Sequence, residues 1–329
     1  MSYITIIGAG AWGTTLTGLL SDKKYDVSLW VYEEDLADEI QRTRINTIYL
    51  PHFVIPDNVK VSHSMEEVLK RTRYIVNVVP AQHTRAVFKK ALPYIHKDTI
   101  IINASKGIEQ GTLLTISAIL KELSACEVAV LSGPSFAEEV VKKLPTAVTV
   151  ASNSNDTSFL LQEIFNTDYF RVYTHSDVLG VELGGALKNV MAIAAGISDS
   201  LGLGSSTRAA LITRGLAEIT RLGVEMGANE KTFMGLSGLG DLVLTCTGNL
   251  SRNYTVGFKL GQGQKLQDIL QNMPMVAEGV TTSEAAYALS KKYNVEMPIV
   301  EQIYKVVNED KNALDAVREL MGRTLKSEF

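Results

Sequence analysis

Cysteine is nearly absent: Cys126 and Cys246 are the only two in 329 residues, and they stand far apart with no C-x-x-C spacing. That excludes a disulfide framework and a paired-thiol site, and it fits a reducing compartment. The five histidines, His52, His63, His83, His96 and His175, show no H-x-H or H-E-x-x-H spacing, so no metal site is expected. Positive charge is not in excess either. Lys and Arg number 32 against 36 Asp and Glu, a formal net charge of -4 with the signs interspersed. Without a basic stripe to neutralise phosphates, nucleic acid is not an expected partner. No apolar run is read as approaching the roughly 18 residues of a membrane span, and no membrane span is expected. The first expected strand starts at Tyr3, which leaves no room for a secretory leader, so the expected address is cytoplasmic. Internal repeats and low-complexity tracts are absent as well.

What is there describes an ordinary globular chain, with 46% hydrophobic and 21% charged residues. Single cores rarely grow past about 250–300 residues, so two domains are expected. Short β-branched runs alternate with helical patterns in the first half, as in a parallel sheet covered on both faces. Expected strands are Tyr3 to Ile7, Val27 to Val31, Tyr74 to Val79, Thr99 to Asn103, Val128 to Leu131, Thr146 to Ala151 and Phe170 to Tyr173. From Gly180 onward apolar residues recur at helical spacing instead, in Thr207 to Met226, Thr281 to Tyr293 and Ile299 to Val307. The predicted class is therefore α/β: a doubly wound, mostly parallel Rossmann sheet over residues 1–180, then an all-helical domain over 181–329.

Gly8-Ala9-Gly10-Ala11-Trp12-Gly13 follows the first strand and opens the helical pattern Thr14 to Ser21. A lone G-x-G-x-x-G is weak, but this placement is the one a dinucleotide-binding turn needs: Gly8 for the turn, Gly10 for approach to the pyrophosphate, Gly13 for helix–strand packing. The helix start then faces the negative charge. Near the end of the second strand stand Tyr32, Glu33 and Glu34, with Glu33 twenty positions past Gly13. Glu33 is either the acid that reads an adenosine ribose or simply an acid at a helix start; no arginine is adjacent to cover a 2′-phosphate.

Several polar residues sit where ligands bind open α/β sheets, beyond the carboxyl ends of strands. Ser105-Lys106-Gly107 follows the fourth expected strand and Ser132-Gly133-Pro134-Ser135-Phe136-Ala137 the fifth. The alternatives are a solvated lysine and a turn with Ser135 as a helix N-cap. Lys188 and Asn189 are embedded in a helix apolar nearly all round, Gly180 to Ala192. A lysine buried there must be paired or poised for proton transfer, unless it snorkels from the helix edge. Asp241, in the glycine-bent apolar stretch Gly238 to Leu242, is its candidate partner. Ser251-Arg252-Asn253 precedes another helical pattern, a cradle for an anion with Arg252 as a bidentate anchor, or else a plain cap beside a surface arginine. Glu278, after Val276 and Ala277, reads equally as a site residue and as a first-turn acid.

Together, Gly8 to Gly13, Ser132 to Ala137, Leu183 to Asn189, Gly238 to Thr245 and Ser251 to Asn253 resemble the bacterial NAD(P)-dependent glycerol-3-phosphate dehydrogenases. The likeness runs over nearly the whole chain, including Asn46 to Pro51 and Met297-Pro298-Ile299. It implies reversible hydride transfer from NAD(P)H to dihydroxyacetone phosphate, giving sn-glycerol 3-phosphate for phospholipid synthesis. It makes Lys188 the proton donor or acceptor. Substrate contacts are carried onto Lys106, Gly133, Ser135, Asp241, Ser251, Arg252 and Asn253. Nucleotide contacts fall on Gly8, Gly10, Ala11, Trp12, Gly13, Tyr32, Tyr49, Lys106, Ala137, Arg252, Val276 and Glu278. The resemblance also implies a helical domain of the 6-phosphogluconate dehydrogenase type, and a homodimer built on its apolar helices is expected. The family often has histidine or arginine at 32 or 33; Tyr32 and Glu33 leave the choice between NAD and NADP open. Two other readings compete: a hydroxyacid dehydrogenase acting on a carboxylate, and a regulator that binds NAD(H) without chemistry. The Y-x-x-x-K spacing of Tyr287 and Lys291 lies in an amphipathic helix and is read as two surface neighbours.

Overall fold

The computed structural model of the chain describes residues 3–273, 276–325 and 327–328. Its strands are β1 (Tyr3–Ile7), β2 (Asp26–Trp30), β3 (Ile45–Asn46), β4 (Leu50–Val54), β5 (Lys60–Ser62), β6 (Tyr74–Asn77), β7 (Ile100–Asn103), β8 (Glu127–Ser132), β9 (Thr146–Ala151) and β10 (Phe170–His175). Between them run α1 (Ala11–Asp22), α2 (Glu34–Thr43), α3 (Met65–Leu69), α4 (Thr84–Ala91), α5 (Ile116–Leu123), α6 (Ala137–Val141) and α7 (Asn155–Phe165). After β10 only helices follow among the described residues: α8 (Val178–Ser200), α9 (Gly204–Glu225), α10 (Asp241–Thr247), α11 (Arg252–Gly261), α12 (Leu266–Gln271), α13 (Glu278–Lys292), α14 (Pro298–Asn308) and α15 (Ala313–Met321).

Eight strands form one sheet in the order β10-β9-β8-β7-β6-β1-β2-β5, parallel except where β9 runs against β8. The connection reverses direction between β1 and β6, which opens a crevice beyond their carboxyl ends. The central strands carry near-continuous apolar runs because helices cover both faces, one core gathering around Ile4, Ile6 and Leu16 and another around Ile7, Ile75 and Ile101. Asn77 and Asn103 close β6 and β7, paired in register and fully buried. Three strands escape the sequence reading. β3 and β5 have two and three residues, and β4 carries Pro51, so none repeats long enough to show a period of two.

The expectation about long apolar runs needs correction. α8 is long and apolar enough to cross a membrane, with a mean hydropathy of 1.4, yet 94% of that stretch is buried inside the protein. It is the hub of the helical half, enclosed by α9, α10, α11 and α13. Its first turns also pack on the sheet, where Val178 and Val181 cluster with Val130 and Ala151.

Candidate active site

Lys188 lies midway along α8, buried like its neighbours. Its Nζ donates to Asp241 Oδ1 and to Thr245 Oγ1. The glycine-bent stretch reads as a loop in the sequence, but Asp241 is the first residue of α10, delivered by a π-helical turn at Leu236–Gly240. Thr245, one turn on, donates back to the Asp241 carbonyl at 2.6 Å and so faces the lysine. From the sheet side, Lys106 Nζ donates to Asp241 Oδ2 at 2.6 Å and to the Gly133 carbonyl at 3.2 Å. One carboxylate thus bridges two ammonium groups, and the cluster keeps a net positive charge toward the crevice. Burial is the largest influence on Lys188 and lowers it to about 8; Asp241 opposes that shift and Lys106 reinforces it. Cys246, beside them, has its thiol pushed up to about 12 by burial and is chemically silent.

A second group adjoins the first through Asn189. Its Oδ1 accepts from Asn253 Nδ2 at 2.9 Å, and Asn253 Oδ1 accepts from the Gly279 N–H at 2.8 Å, which ties α8, α11 and α13 together. Ser251 is the N-cap of α11 and accepts from the Tyr254 N–H at 3.2 Å. Arg252 follows it, exposed, with Nη1 donating to the Val276 carbonyl at 3.0 Å. Ser251 is thus the cap that one reading expected, with Arg252 exposed beside it. Glu278 starts α13, and its Oε1 accepts from the Ala81 N–H of the sheet domain at 2.9 Å. Its Oε2 is buried without a partner, and burial pushes this carboxyl upward. Ser135 does not cap α6, as one reading had it. Phe136 occupies that position, and Ser135 Oγ turns back to the Gly133 carbonyl at 3.3 Å.

At the other end of the crevice, Gly8 takes φ +114° and a β-carbon there would meet the Val78 carbonyl at 2.9 Å. A β-carbon on Gly13 would lie 1.9 Å from the Gly8 carbonyl. Both positions therefore require glycine. Space at Gly10 is open to 4 Å, and Gly10 caps α1 with no side-chain hydrogen bond, leaving the first N–H groups of that helix free. Asn46 Nδ2 anchors the β3–β4 hairpin to this loop, donating to the Ala9 carbonyl at 2.7 Å. The hairpin presents Tyr49, whose hydroxyl donates to Glu33 Oε1 at 3.3 Å. Tyr32 is 70% exposed beside it, edge-on to Trp30. Trp12, in the first turn of α1, is half-buried near Phe170, and the Ala137 carbonyl accepts from Thr15 Oγ1 at 3.4 Å.

Two family models cover most of the chain. The one described as NAD-dependent glycerol-3-phosphate dehydrogenase N-terminus matches residues 3–158, and its C-terminus counterpart matches residues 177–318. The chain belongs to the NAD-dependent glycerol-3-phosphate dehydrogenase family. It is 55% identical to glycerol-3-phosphate dehydrogenase (NAD(P)+) of Citrifermentans bemidjiense, over 99% of this chain and 98% of that one. Identity to the enzyme of the same name from Geobacter sulfurreducens is 54%, again over 99% and 98%. The crystal structure of glycerol-3-phosphate dehydrogenase from Coxiella burnetii superposes with a TM-score of 0.95 at 42% identity, covering 98% of this chain and 99% of that one.

For this family member the cofactor is NAD or NADP, and the crevice fits one. A side chain at Gly10 would fill the open cradle, the α1 N–H groups await acceptors, and Glu278 Oε2 is an orphaned acceptor. Three groups here were given no role from the sequence alone. Thr245 was only part of a motif, Asn189 only the neighbour of Lys188, and Asn103 only the end of a strand. The useful signal was a polar residue closing an otherwise apolar strand, in Tyr-Ile-Val-Asn and Ile-Ile-Ile-Asn.

Proposed function

We propose that the chain reduces dihydroxyacetone phosphate reversibly to sn-glycerol 3-phosphate, with Lys188 as proton donor, and so supplies glycerophospholipid synthesis. The observation that carries this reading is the pair of lysines, Lys188 buried and Lys106 half-buried, that share Asp241. Bound nicotinamide supplies or takes up the hydride. A lysine brought to about 8 exchanges a proton near neutral pH in either direction, giving it to the ketone oxygen or accepting it from the alcohol. Asp241 and Thr245 hold the Lys188 ammonium in one place, and Lys106 adds charge where the alkoxide develops. Arg252 and the α11 start at Ser251 hold the phosphate, Gly133 and Ser135 line the crevice, and Asn253 keeps α11 in register with Lys188. Gly8 to Gly13 receive the pyrophosphate, with Trp12, Ala137, Val276 and Glu278 along the nucleotide and Tyr32 and Tyr49 at its adenosine end. A carboxylate substrate would not require this second anion site on α11.

We divide the chain into a dinucleotide-binding domain, residues 1–180, and a helical substrate-binding and catalytic domain, residues 181–329, with Lys106, Gly133 and Ser135 reaching the substrate from the first and Val276 and Glu278 reaching the nucleotide from the second. We place the enzyme in the cytoplasm as a homodimer joined through helices of the second half. Lys188→Ala tests the central claim. Turnover of dihydroxyacetone phosphate should be lost while NADH still binds, as followed by its fluorescence; near-normal turnover would refute the role.

A further inference from the structure

Glu182 has no part in the mechanism above, yet it is buried on α8, six residues before Lys188, and among the described residues no cation pairs with it. Its Oε1 accepts from Asn103 Nδ2 at 2.9 Å and from the Ser117 N–H at 2.8 Å, and its Oε2 accepts from Ser117 Oγ at 2.5 Å. Holding α8 against the sheet needs no carboxylate, since an apolar pair of similar volume does so without desolvating a charge. What an acceptor does here, and an apolar group cannot, is orient Asn103. With Nδ2 turned to Glu182, Asn103 must aim Oδ1 at the Ser105 N–H, 3.1 Å away, and at Asn77 Nδ2, 3.0 Å away. Nδ2 also donates to the Ser105 carbonyl at 3.2 Å, so both polar groups of that residue are held. Ser105 Oγ donates to the Val79 carbonyl at 2.6 Å, closing the loop onto the segment that follows β6. The next residue is Lys106.

We propose that Glu182 is a positioning residue for the reaction: through Asn103 and Ser105 it holds Lys106 against Asp241 and so sets the charge that Lys188 faces. The inference rests on Lys188 being the proton donor. The charged and titratable groups facing Lys188 are Asp241 and Cys246 from α10 and Lys106 from the loop after β7. Withdrawing Lys106 removes the one cation among them, and Lys188 then holds its proton more tightly.

Glu182→Gln keeps an acceptor for Asn103 and Ser117, whereas Glu182→Ala lets Asn103 turn. In the Ala variant kcat should fall about tenfold or more with the KM for NADH unchanged within about twofold. In the enzyme without nucleotide, the Lys188 resonance in a 13Cε-lysine titration should move to higher pH by about one unit. Glu182→Gln should restore both. A folded Glu182→Ala with wild-type kcat, or one that loses kcat without moving the Lys188 titration, overturns the proposal. Should Glu182→Ala not fold, Asn103→Ser cuts the relay while sparing the Ser117 bonds; it must show the same loss and shift, and wild-type behaviour there overturns the proposal too. An active Lys188→Ala would sink the proton donor itself, whereas a wild-type Glu182→Ala beside an inactive Lys188→Ala sinks only the relay.

Discussion

At Lys188, the proposed proton donor, burial outweighs the attraction of Asp241. Reduction needs the ammonium and oxidation needs the free amine, so the two directions must depend on pH with opposite sign. For dihydroxyacetone phosphate, kcat/KM should fall as pH rises through about 8; for glycerol 3-phosphate it should rise through the same value. Initial rates from pH 6 to 10 check this, and limbs of the same sign in both directions would exclude Lys188 as the titrating group. Glu33 makes a second prediction at this scale. Its carboxylate accepts from Tyr49 and has no arginine adjacent in sequence, so with the nucleotide seated as proposed a 2′-phosphate would meet like charge there. NADH should be preferred over NADPH by about fivefold or more, corresponding to roughly 1 kcal/mol of repulsion in a solvated setting. Comparing kcat/KM for the two nucleotides decides it, and Glu33→Arg should reverse the order. Lys188 and Asp241 were legible in the sequence because a charge inside an apolar helical pattern must have a reason. Thr245 and Asn103 were not. A threonine in a helix is unremarkable by itself, and an asparagine after three isoleucines reads as the turn that ends a strand.

Elements were legible where an apolar pattern runs uninterrupted. β1, β9 and α8 have five, six and twenty-three residues and repeat their pattern, whereas β3 and β5 are held by what surrounds them, β5 by pairing with β2 and β3 by Asn46 on the glycine loop. The start of α14 shows the same dependence on distant residues. Met297 supplies no side-chain cap there. The Ile299 and Val300 N–H groups donate instead to Glu218 of α9, at 2.8 and 3.1 Å. Glu218 is 1% exposed, and burial pushes its carboxyl up to about 7 against the pull of those two bonds. A folded-state value above the unfolded one means that its contribution to stability is complete below about 4.3 and is lost as pH rises through about 7. Glu218→Ala should therefore cost about 1–3 kcal/mol of stability by urea unfolding, and the loss should be larger at pH 5 than at pH 8. Equal losses at the two pH values would show that the carboxyl is not shifted.

The two halves of the molecule meet along α8, which packs on the sheet at its start and fills the helical core beyond it. Its first turns share the Val130–Ala151 cluster with the sheet and send Glu182 to Asn103 and Ser117, while the rest of it is wrapped by α9, α10, α11 and α13. Across the crevice, Glu278 on α13 holds the Ala81 N–H of the sheet half. Melting the sheet would strip the cover from the first turns of α8 and leave Glu182 without its donors, which is unfavourable for a buried carboxylate. Melting the helical half would in turn expose the apolar edge of β8 and β9. Neither half can open without destabilising the other, so heat should unfold the molecule in one transition. NADH, though its proposed site lies mainly on the sheet half, should then raise the stability of the whole by about 2.7 kcal/mol at a hundred times its dissociation constant. Differential scanning calorimetry reads this as a single peak moving up by a few degrees with nucleotide. Two resolved peaks, of which only one moves with NADH, would mean that α8 does not couple the halves and that each core stands alone.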